Sequence, residues 1–342
     1  MKNLLIGLSP VRLSFAGGGT DQPEFYEKFG GNVITTSIDK FTYTIIHPRF
    51  DNLFQAFSPD FQKYYTASNY EKIVIRDGTE IASSVIKSMK FKKGINVILC
   101  SDVPAGSGLG ASSSLAVNLV NVISYLKHEK LSESQIAEKA FHIGRKILHW
   151  PIGKQDEYIS SFGGFNYIKF KKEKVSVVPI KMSKNTQKEL EQSLLLFREG
   201  NTRNSSKILT KQIQMIKNRN PDTLNSLLNV KDLAKNMYAS LKQSDITKFG
   251  ELLHQGWVAK KKFTKNVSNS RIDKIYDLAL KNGALGGKIT GAGGGGHMLF
   301  YCELSKQKKL EKKLHTLGLE RVQFSFYDDG PKIVQTPDMS NF

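Results

Sequence analysis

The sequence predicts two domains that mix helices and strands, and three observations predict it. A length of 342 residues favours two domains over one, with a single α/β domain still open. Strand-like and helix-like patterns share the first half: Asn32–Ile46 (NVITTSIDKFTYTII) is crowded with β-branched and aromatic residues, whereas Ala111–Lys127 repeats apolar residues at helical spacing. The texture then changes near residue 181, which divides the chain into 1–180 and 181–342.

Composition fits a packed, water-soluble chain: 39% hydrophobic, 10% aromatic and 24% charged residues can bury a sizeable core and exclude disordered and fibrous classes. The net charge of +19 favours anionic partners, and lysines spread over solvated faces explain it equally well. Lys169–Lys174 (KFKKEK) and Lys306–Lys313 (KQKKLEKK) read as such faces, so no nucleic-acid partner is expected. Cys100 and Cys302 lie in apolar runs, with neither a disulfide framework nor a CxxC zinc spacing. The histidines form no metal-ligand cluster. Met1–Pro10 lacks a signal-peptide cleavage pattern, and no apolar run approaches the ~20 residues of a membrane span. A cytoplasmic protein with no membrane partner is expected.

Taken in order, the elements read as follows. Ser9–Phe15 is an extended segment whose apolar alternation (Val11, Leu13, Phe15) leaves Arg12 on the opposite face. Gly17–Gly19 give a turn, and Asp21 is placed to cap a helix over Gln22–Phe29. Asn96–Ser101 is a short strand feeding the loop Asp102–Gly110 and the helix Ala111–Lys127. Ser132 caps the next helix, Glu133–Leu148, with Gln135 in capping-box position. Gly153–Phe170 reads as loop, helical turn and, after Gly163-Gly164, strand; Val175–Ile180 is its partner. Leu194–Phe197 is a strand, and a helical region follows from about Thr202 to Asn282, broken near Pro221 and Ser244. Gly283–Gly296 is a glycine-rich loop leading to the strand His297–Tyr301, a lysine-rich helix and a last strand, Arg321–Phe326.

Two loops carry chemistry. Pro104–Leu115 (PAGSGLGASSSL) places Gly106, Gly108 and Gly110 between a strand and a helix N-terminus. Backbone amides freed of side chains, together with the positive end of a helix dipole, suit a nucleotide phosphate. The serines at 112–114 add hydroxyls for phosphate or magnesium. Neither GxxxxGK[ST] nor GxGxxG is present, and a plain tight turn is the competing reading. In GKQDEYISSFGG, Asp156 follows the helix-ending Pro151 and Gly153 and can take a proton from an attacking hydroxyl; a helix cap is the bland alternative. Glu157 points elsewhere on a helix and is not paired with Asp156 as a second catalytic acid. In Gly286–Gly296 (GGKITGAGGGG), seven of eleven residues are glycine, and a close backbone approach to a ligand is the natural reason.

SPVRLSFAGGGTD, PAGSGLGASSS and KITGAGGGGH, in this order, resemble the three signatures of the GHMP kinases, over nearly the whole chain. AGGGTD, GKQDEY and SFGGFN look most like their bacterial sugar-kinase branch, which includes kinases of heptose phosphates. The resemblance implies an α+β fold: a ribosomal-protein-like N-terminal domain, a ferredoxin-like C-terminal domain with extra helices, and a nucleotide between them. It implies ATP and Mg²⁺ as cofactors and a sugar phosphate, phosphorylated on its anomeric hydroxyl, as substrate, and it leaves a homodimer open. It places Pro104, Gly106, Ser107, Gly108, Leu109, Gly110, Ala111, Ser112 and Ser113 at the ATP phosphates, with Ser112 as magnesium ligand. Asp156 matches the catalytic aspartate, and Arg12 the basic residue beside it that favours its charged form. Gly18, Gly19, Thr20 and Asp21 match sugar-contacting positions; Gly291, Ala292 and Gly293 match those approaching the substrate and the transferred phosphate. Lys154 is a further candidate for the γ-phosphoryl charge, and Lys40, His47 and Arg49 for a substrate phosphate.

One departure stands out. Many GHMP kinases carry a second magnesium-binding glutamate ten to twelve residues before the aspartate, where this chain has Gly144-Arg145-Lys146. Either Ser112, water and the nucleotide hold the ion, or Arg145 or Lys146 neutralises phosphate directly. A kinase of a free sugar and a non-catalytic ligand-binding regulator are the alternative functions.

Overall fold

The computed structural model describes residues 4–200 and 205–335. The chain opens with β1 (Leu5–Ala16), α1 (Pro23–Phe29) and β2 (Gly31–Pro48). A β3 (Phe54–Ser58) and β4 (Lys63–Ala67) hairpin follows, then α2 (Glu80–Ser88), β5 (Ile95–Ser101), α3 (Ala111–Leu126), α4 (Glu133–His142) and α5 (Gln155–Phe162). Next come β6 (Phe165–Phe170), β7 (Val175–Pro179), α6 (Lys184–Ser193) and β8 (Leu194–Arg198). Helices α7 (Ser205–Lys217), α8 (Pro221–Lys242), α9 (Ile246–Lys260) and α10 (Ser270–Lys281) lead to β9 (Ala284–Ile289), β10 (His297–Cys302), α11 (Leu304–His315), β11 (Glu320–Val322) and β12 (Lys332–Gln335). Residues 202–204 of the predicted helical region lie outside the described residues.

The first sheet runs β12-β1-β2-β5-β3-β4, antiparallel except for β3 against β5. The long, β-branched β2 serves two partners along one edge: Gly31–Thr36 pair with β6 and Thr42–Pro48 with β5. The second sheet runs β11-β8-β10-β9. Its chain order is strand, helices, two strands, helix, strand, which is the split βαβ pattern with extra helices in the first crossover. Helices segregated against largely antiparallel sheets make this an α+β fold, as expected.

Three differences from the sequence reading have local causes. The predicted loop 283–296 contains a true strand, β9, because Gly286 and Gly287 let neighbours close in. A Cβ on Gly286 would lie 2.2 Å from the Gly250 carbonyl of α9. The predicted last strand shrinks to Glu320–Val322, with one bridge from Phe326 to Ile38. Beyond it, β12 pairs with β1, so the C-terminal strand completes the first sheet. The helix predicted over Glu133–Leu148 keeps its capping box but ends as a π turn over Ile143–Ile147. A Cβ on Gly144 would lie 2.7 Å from Ile152 Cδ1, so glycine there lets the Trp150–Ile152 segment fold back onto the turn.

Helix α3 is buried along most of its length, and Asn118 anchors it. Asn118 Nδ2 donates to the carbonyls of Gly7 and Thr42 at 3.0 and 2.9 Å, and Oδ1 accepts from Thr44 Oγ1 at 3.0 Å. Val11, Leu13 and Phe15 of β1 pack in one core with Leu194 and Leu196 of β8 and Phe249 of α9, which joins the first sheet to the second. Arg12 and Ser14, on the other face of β1, thereby reach the loop before α3 and the first turn of α5.

Candidate active site

A cavity of about 360 Å³ is lined from β1, the Gly17–Gln22 turn, the 105–113 loop, the Trp150–Asp156 segment and the third glycine-rich loop. Gly106, Gly108 and Gly110 all take positive φ (76°, 76° and 83°), the region that costs an L side chain most. The loop is held from behind. Thr290 Oγ1 donates to the Ser107 carbonyl at 3.1 Å, and His297 Nδ1 lies 2.9 Å from the same oxygen. Since a carbonyl only accepts, Nδ1 carries the proton, and burial pushes the His297 pKa down, consistent with a neutral ring. A Cβ on Gly291 would lie 2.7 Å from Gly108 Cα, and one on Gly296 2.7 Å from the Ser107 carbonyl. Glycine density in the third loop is therefore explained by loop-on-loop packing as well as by a ligand. Gly108→Ala places a methyl 2.7 Å from the Thr290 carbonyl at φ 76°. We expect it to lower stability by about 1–3 kcal/mol and to raise KM for ATP more than KM for the acceptor, which thermal melts and steady-state kinetics check.

Arg12 and Asp156 form the centre. Arg12 Nε and Nη2 donate to Asp156 Oδ1 and Oδ2 at 2.7 and 2.6 Å, and Nη1 donates to the Gly108 carbonyl at 2.5 Å. Arg12 is 3% exposed, and this fork fixes the carboxylate against the glycine loop. Gln155 Nε2 donates to Asp156 Oδ1 at 2.9 Å, and Ser14 Oγ donates to Gln155 Oε1 at 2.7 Å. Asp156 stands in the first turn of α5, and its side chain remains 24% exposed.

Asp21 does not cap α1. Its Oδ1 accepts from Gly19 N at 2.9 Å and its Oδ2 from Gln155 N at 3.1 Å, so it caps α5 from a distant part of the chain. Burial, and next the Asp156 charge, push its pKa up, while these backbone amides oppose the rise.

The serines separate. Ser112 is exposed in the cavity. Ser113 Oγ donates to Glu157 Oε1 at 2.7 Å, and Ser114 Oγ to the Ser9 carbonyl at 3.0 Å. Glu157 is 1% exposed, and burial, then the neighbouring Asp156 charge, push its pKa up to about 8. A carboxyl whose folded pKa is raised stabilises the fold fully below its unfolded pKa, near 4.5, and loses that contribution as pH climbs towards 8. We expect Glu157→Gln to match the parent at pH 4–5 and to exceed it by on the order of 3–5 kcal/mol above pH 8. Denaturant melts across that range check the crossing.

Several expected site residues lie elsewhere. Thr20 is fully buried, and its hydroxyl donates to the Gly17 carbonyl at 2.7 Å, holding the turn instead of facing the cavity. Leu109 is buried, and its carbonyl accepts from Arg12 N at 2.9 Å. Pro104 closes the loop through the amide of Ser107 at 3.2 Å. Gly293 packs on Val267, whereas Gly291 and Ala292 do line the cavity. Lys154 turns away to Glu138 at 2.5 Å and does not line the cavity. Arg145 pairs with Glu24 of α1, so it is not a free phosphate ligand. Arg49 pairs with Asp51 at 2.5 Å and Lys40 lies 3.8 Å from Asp39; neither these nor His47 reach the cavity.

Sequence reasoning missed other lining residues: Ser14, Gln22, Glu80, Gln155, Gln212 and Lys260. Lys260 donates to the Gly291 carbonyl and is 7% exposed. It stands in the run Lys260-Lys261-Lys262, where only the fold selects the inward member. Lys288, 5% exposed, donates to the Ser14 carbonyl at 2.6 Å; burial, then Lys260 and Arg12, push its pKa well down. Gln155 alone had a local signal, its place beside Asp156.

The arrangement has known counterparts. The GHMP kinases N terminal domain matches residues 78–164 and the GHMP kinases C terminal domain residues 237–318. A D-glycero-alpha-D-manno-heptose 7-phosphate kinase of Campylobacter jejuni is 32% identical over 331 residues, covering 95% of this chain and 97% of that protein. The chain belongs to the GHMP kinases. A solved D-glycero-D-manno-heptose 1-phosphate kinase from Bacteroides thetaiotaomicron, 25% identical, superposes with a TM-score of 0.81 over 98% of this GHMP kinase and 100% of that chain. The L-fucokinase/L-fucose-1-P guanylyltransferase of Bacteroides fragilis is 26% identical over 85% of this chain and 34% of its own. Lactococcus lactis galactokinase, 19% identical, shares the fold with a TM-score of 0.78 over 97% of this chain and 95% of its own. As a member of this family, the chain is a phosphotransferase.

Proposed function

We propose that this GHMP kinase transfers the γ-phosphoryl group of ATP to the anomeric hydroxyl of a sugar phosphate, with D-glycero-D-manno-heptose 7-phosphate as acceptor. The observation that carries the reading is the end-to-end similarity to the Campylobacter jejuni kinase, joined to an Arg12–Asp156 pair fixed against a glycine cradle. The residues fit a triphosphate: three positive-φ glycines lead into the N-terminus of α3, and Arg12 and Lys260 line the same cavity with positive charge. In this reading Ser112, exposed in the cavity, is a protein contact for magnesium, with the nucleotide and water completing its shell. Magnesium bound there would neutralise charge on the phosphates.

In this reading Asp156 accepts the proton of the acceptor hydroxyl, whose oxygen forms the new P–O bond as the bond to the leaving ADP oxygen breaks. Arg12 holds the carboxylate in place, and the amides of the 106–112 loop stabilise charge that grows on the transferred group. Asp21, by capping α5, sets the position of Asp156. No helix among the described residues is long and apolar enough to cross a membrane, and a cytoplasmic location belongs to the proposal. Phosphorus NMR of the product from heptose 7-phosphate and ATP tests the regiochemistry. A second phosphorus resonance coupled to the anomeric proton is expected, and phosphate on any other carbon would refute it.

A further inference from the structure

Two buried glutamines in the same cavity each leave one amide atom without a hydrogen-bond partner, an acceptor on one and a donor on the other. Gln22 is 2% exposed and Gln212 3% exposed, and both line the cavity that holds Asp156. Gln22 is the N-cap residue of α1 but does not cap it. Its Nε2 donates to the Pro151 carbonyl at 3.2 Å, which fixes the amide orientation and leaves Oε1, an acceptor, without a partner. Gln212, on α7, leaves Nε2, a donor, without a partner. The two converge on one turn. A Cβ on Gly19 would lie 2.7 Å from Gln212 Nε2, and Gln22 N bonds the Gly19 carbonyl at 3.4 Å.

A buried amide atom with no partner is disfavoured, and folded chains keep few of them. One unfilled acceptor and one unfilled donor lining the same cavity match a hydroxyl, which donates once and accepts readily. Asp21, next to Gln22 in sequence, does not meet that need: each of its oxygens accepts a backbone amide, and neither unpartnered glutamine atom bonds it. We infer that Gln22 Oε1 and Gln212 Nε2 form a hydroxyl-reading subsite for the polyhydroxy acceptor, with the Gly17–Gln22 turn as its floor. The inference rests on the kinase reading above and specifies which side chains select the acceptor.

The test pairs ligand-free stability with kinetics. Gln212→Met keeps the volume and deletes the unpartnered donor. The subsite predicts that the ligand-free Tm is unchanged or higher, while KM for heptose 7-phosphate rises about 10–100-fold and KM for ATP stays as in the parent. Gln22→Met, which also loses the Pro151 bond, is read by KM alone and shifts it in the same way. A ligand-free Tm lower by roughly 2 °C or more in Gln212→Met would show that the amide is satisfied within the protein and would overturn the subsite, as would an unchanged acceptor KM in both variants. If the parent turns over fucose or mannose 6-phosphate and not heptose 7-phosphate, the proposed acceptor fails, and the subsite is judged by the same two variants on the sugar that reacts. The melting comparison needs no acceptor, so a lowered Tm overturns the subsite even where the proposed acceptor fails.

Discussion

Asp156→Asn lowers kcat by about 10³-fold while the affinity for ATP changes little. Asparagine has the same shape, and its Oδ1 still accepts from Gln155 Nε2 and Arg12 Nε, while the bond from Arg12 Nη2 to the second oxygen is given up. It cannot take the proton of the acceptor hydroxyl. The glycine loop does not depend on the carboxylate charge: Thr290, His297, the third loop and Arg12 itself support it. ATP titration and single-turnover kinetics on the purified variant therefore separate the two roles. A parallel loss of ATP binding would mean that Asp156 organises the loop, and unchanged turnover would remove it from the chemistry.

Removing Arg12 affects stability and turnover together. Its guanidinium makes three hydrogen bonds, two to Asp156 and one to the Gly108 carbonyl, at 3% exposure. Arg12→Met leaves the carboxylate without its fork and the Gly108 carbonyl without its donor. Breaking such a pair from one side costs about 3–5 kcal/mol, and kcat falls by roughly 10²-fold or more because Asp156 is no longer held. Arg12→Lys returns the charge but not the planar fork, so it recovers stability more than turnover. Denaturant melts and kcat for the two variants check this ordering; equal turnover in Lys and Arg forms would show that charge alone suffices.

Most of the frame was legible because its signals are local. The β-branched run of β2, the strand–loop–helix order around Gly106–Gly110 and the Ser132/Gln135 capping box each follow from neighbouring residues. At the centre of the site, alternation along β1 placed Arg12 opposite an apolar face, whereas its place beside Asp156 was implied by the resemblance to the GHMP kinases. Features decided by distant packing were not. Asp21 looked like a cap for the helix that follows it, yet it caps α5, more than a hundred residues later. Gly286 and Gly287 read as loop because nothing nearby shows that α9 presses on the first and β10 on the second. Lys332–Gln335 carries too little pattern to announce a strand, and its partner is the first strand of the chain. Thr20 has the right residue type for a ligand contact, but its hydroxyl is used up by the turn. Gln212 lies on an ordinary amphipathic helix, and only the approach of α7 to the Gly17–Gln22 turn gives it a role.

The central claim is that this chain phosphorylates a sugar that already carries phosphate. ADP release with ATP and magnesium, followed across heptose 7-phosphate, mannose 6-phosphate, fucose, galactose and mevalonate, tests it most directly. Turnover on heptose 7-phosphate with the free sugars and mevalonate silent is the predicted result. Preferred turnover on fucose or galactose would contradict it and make the chain a free-sugar kinase.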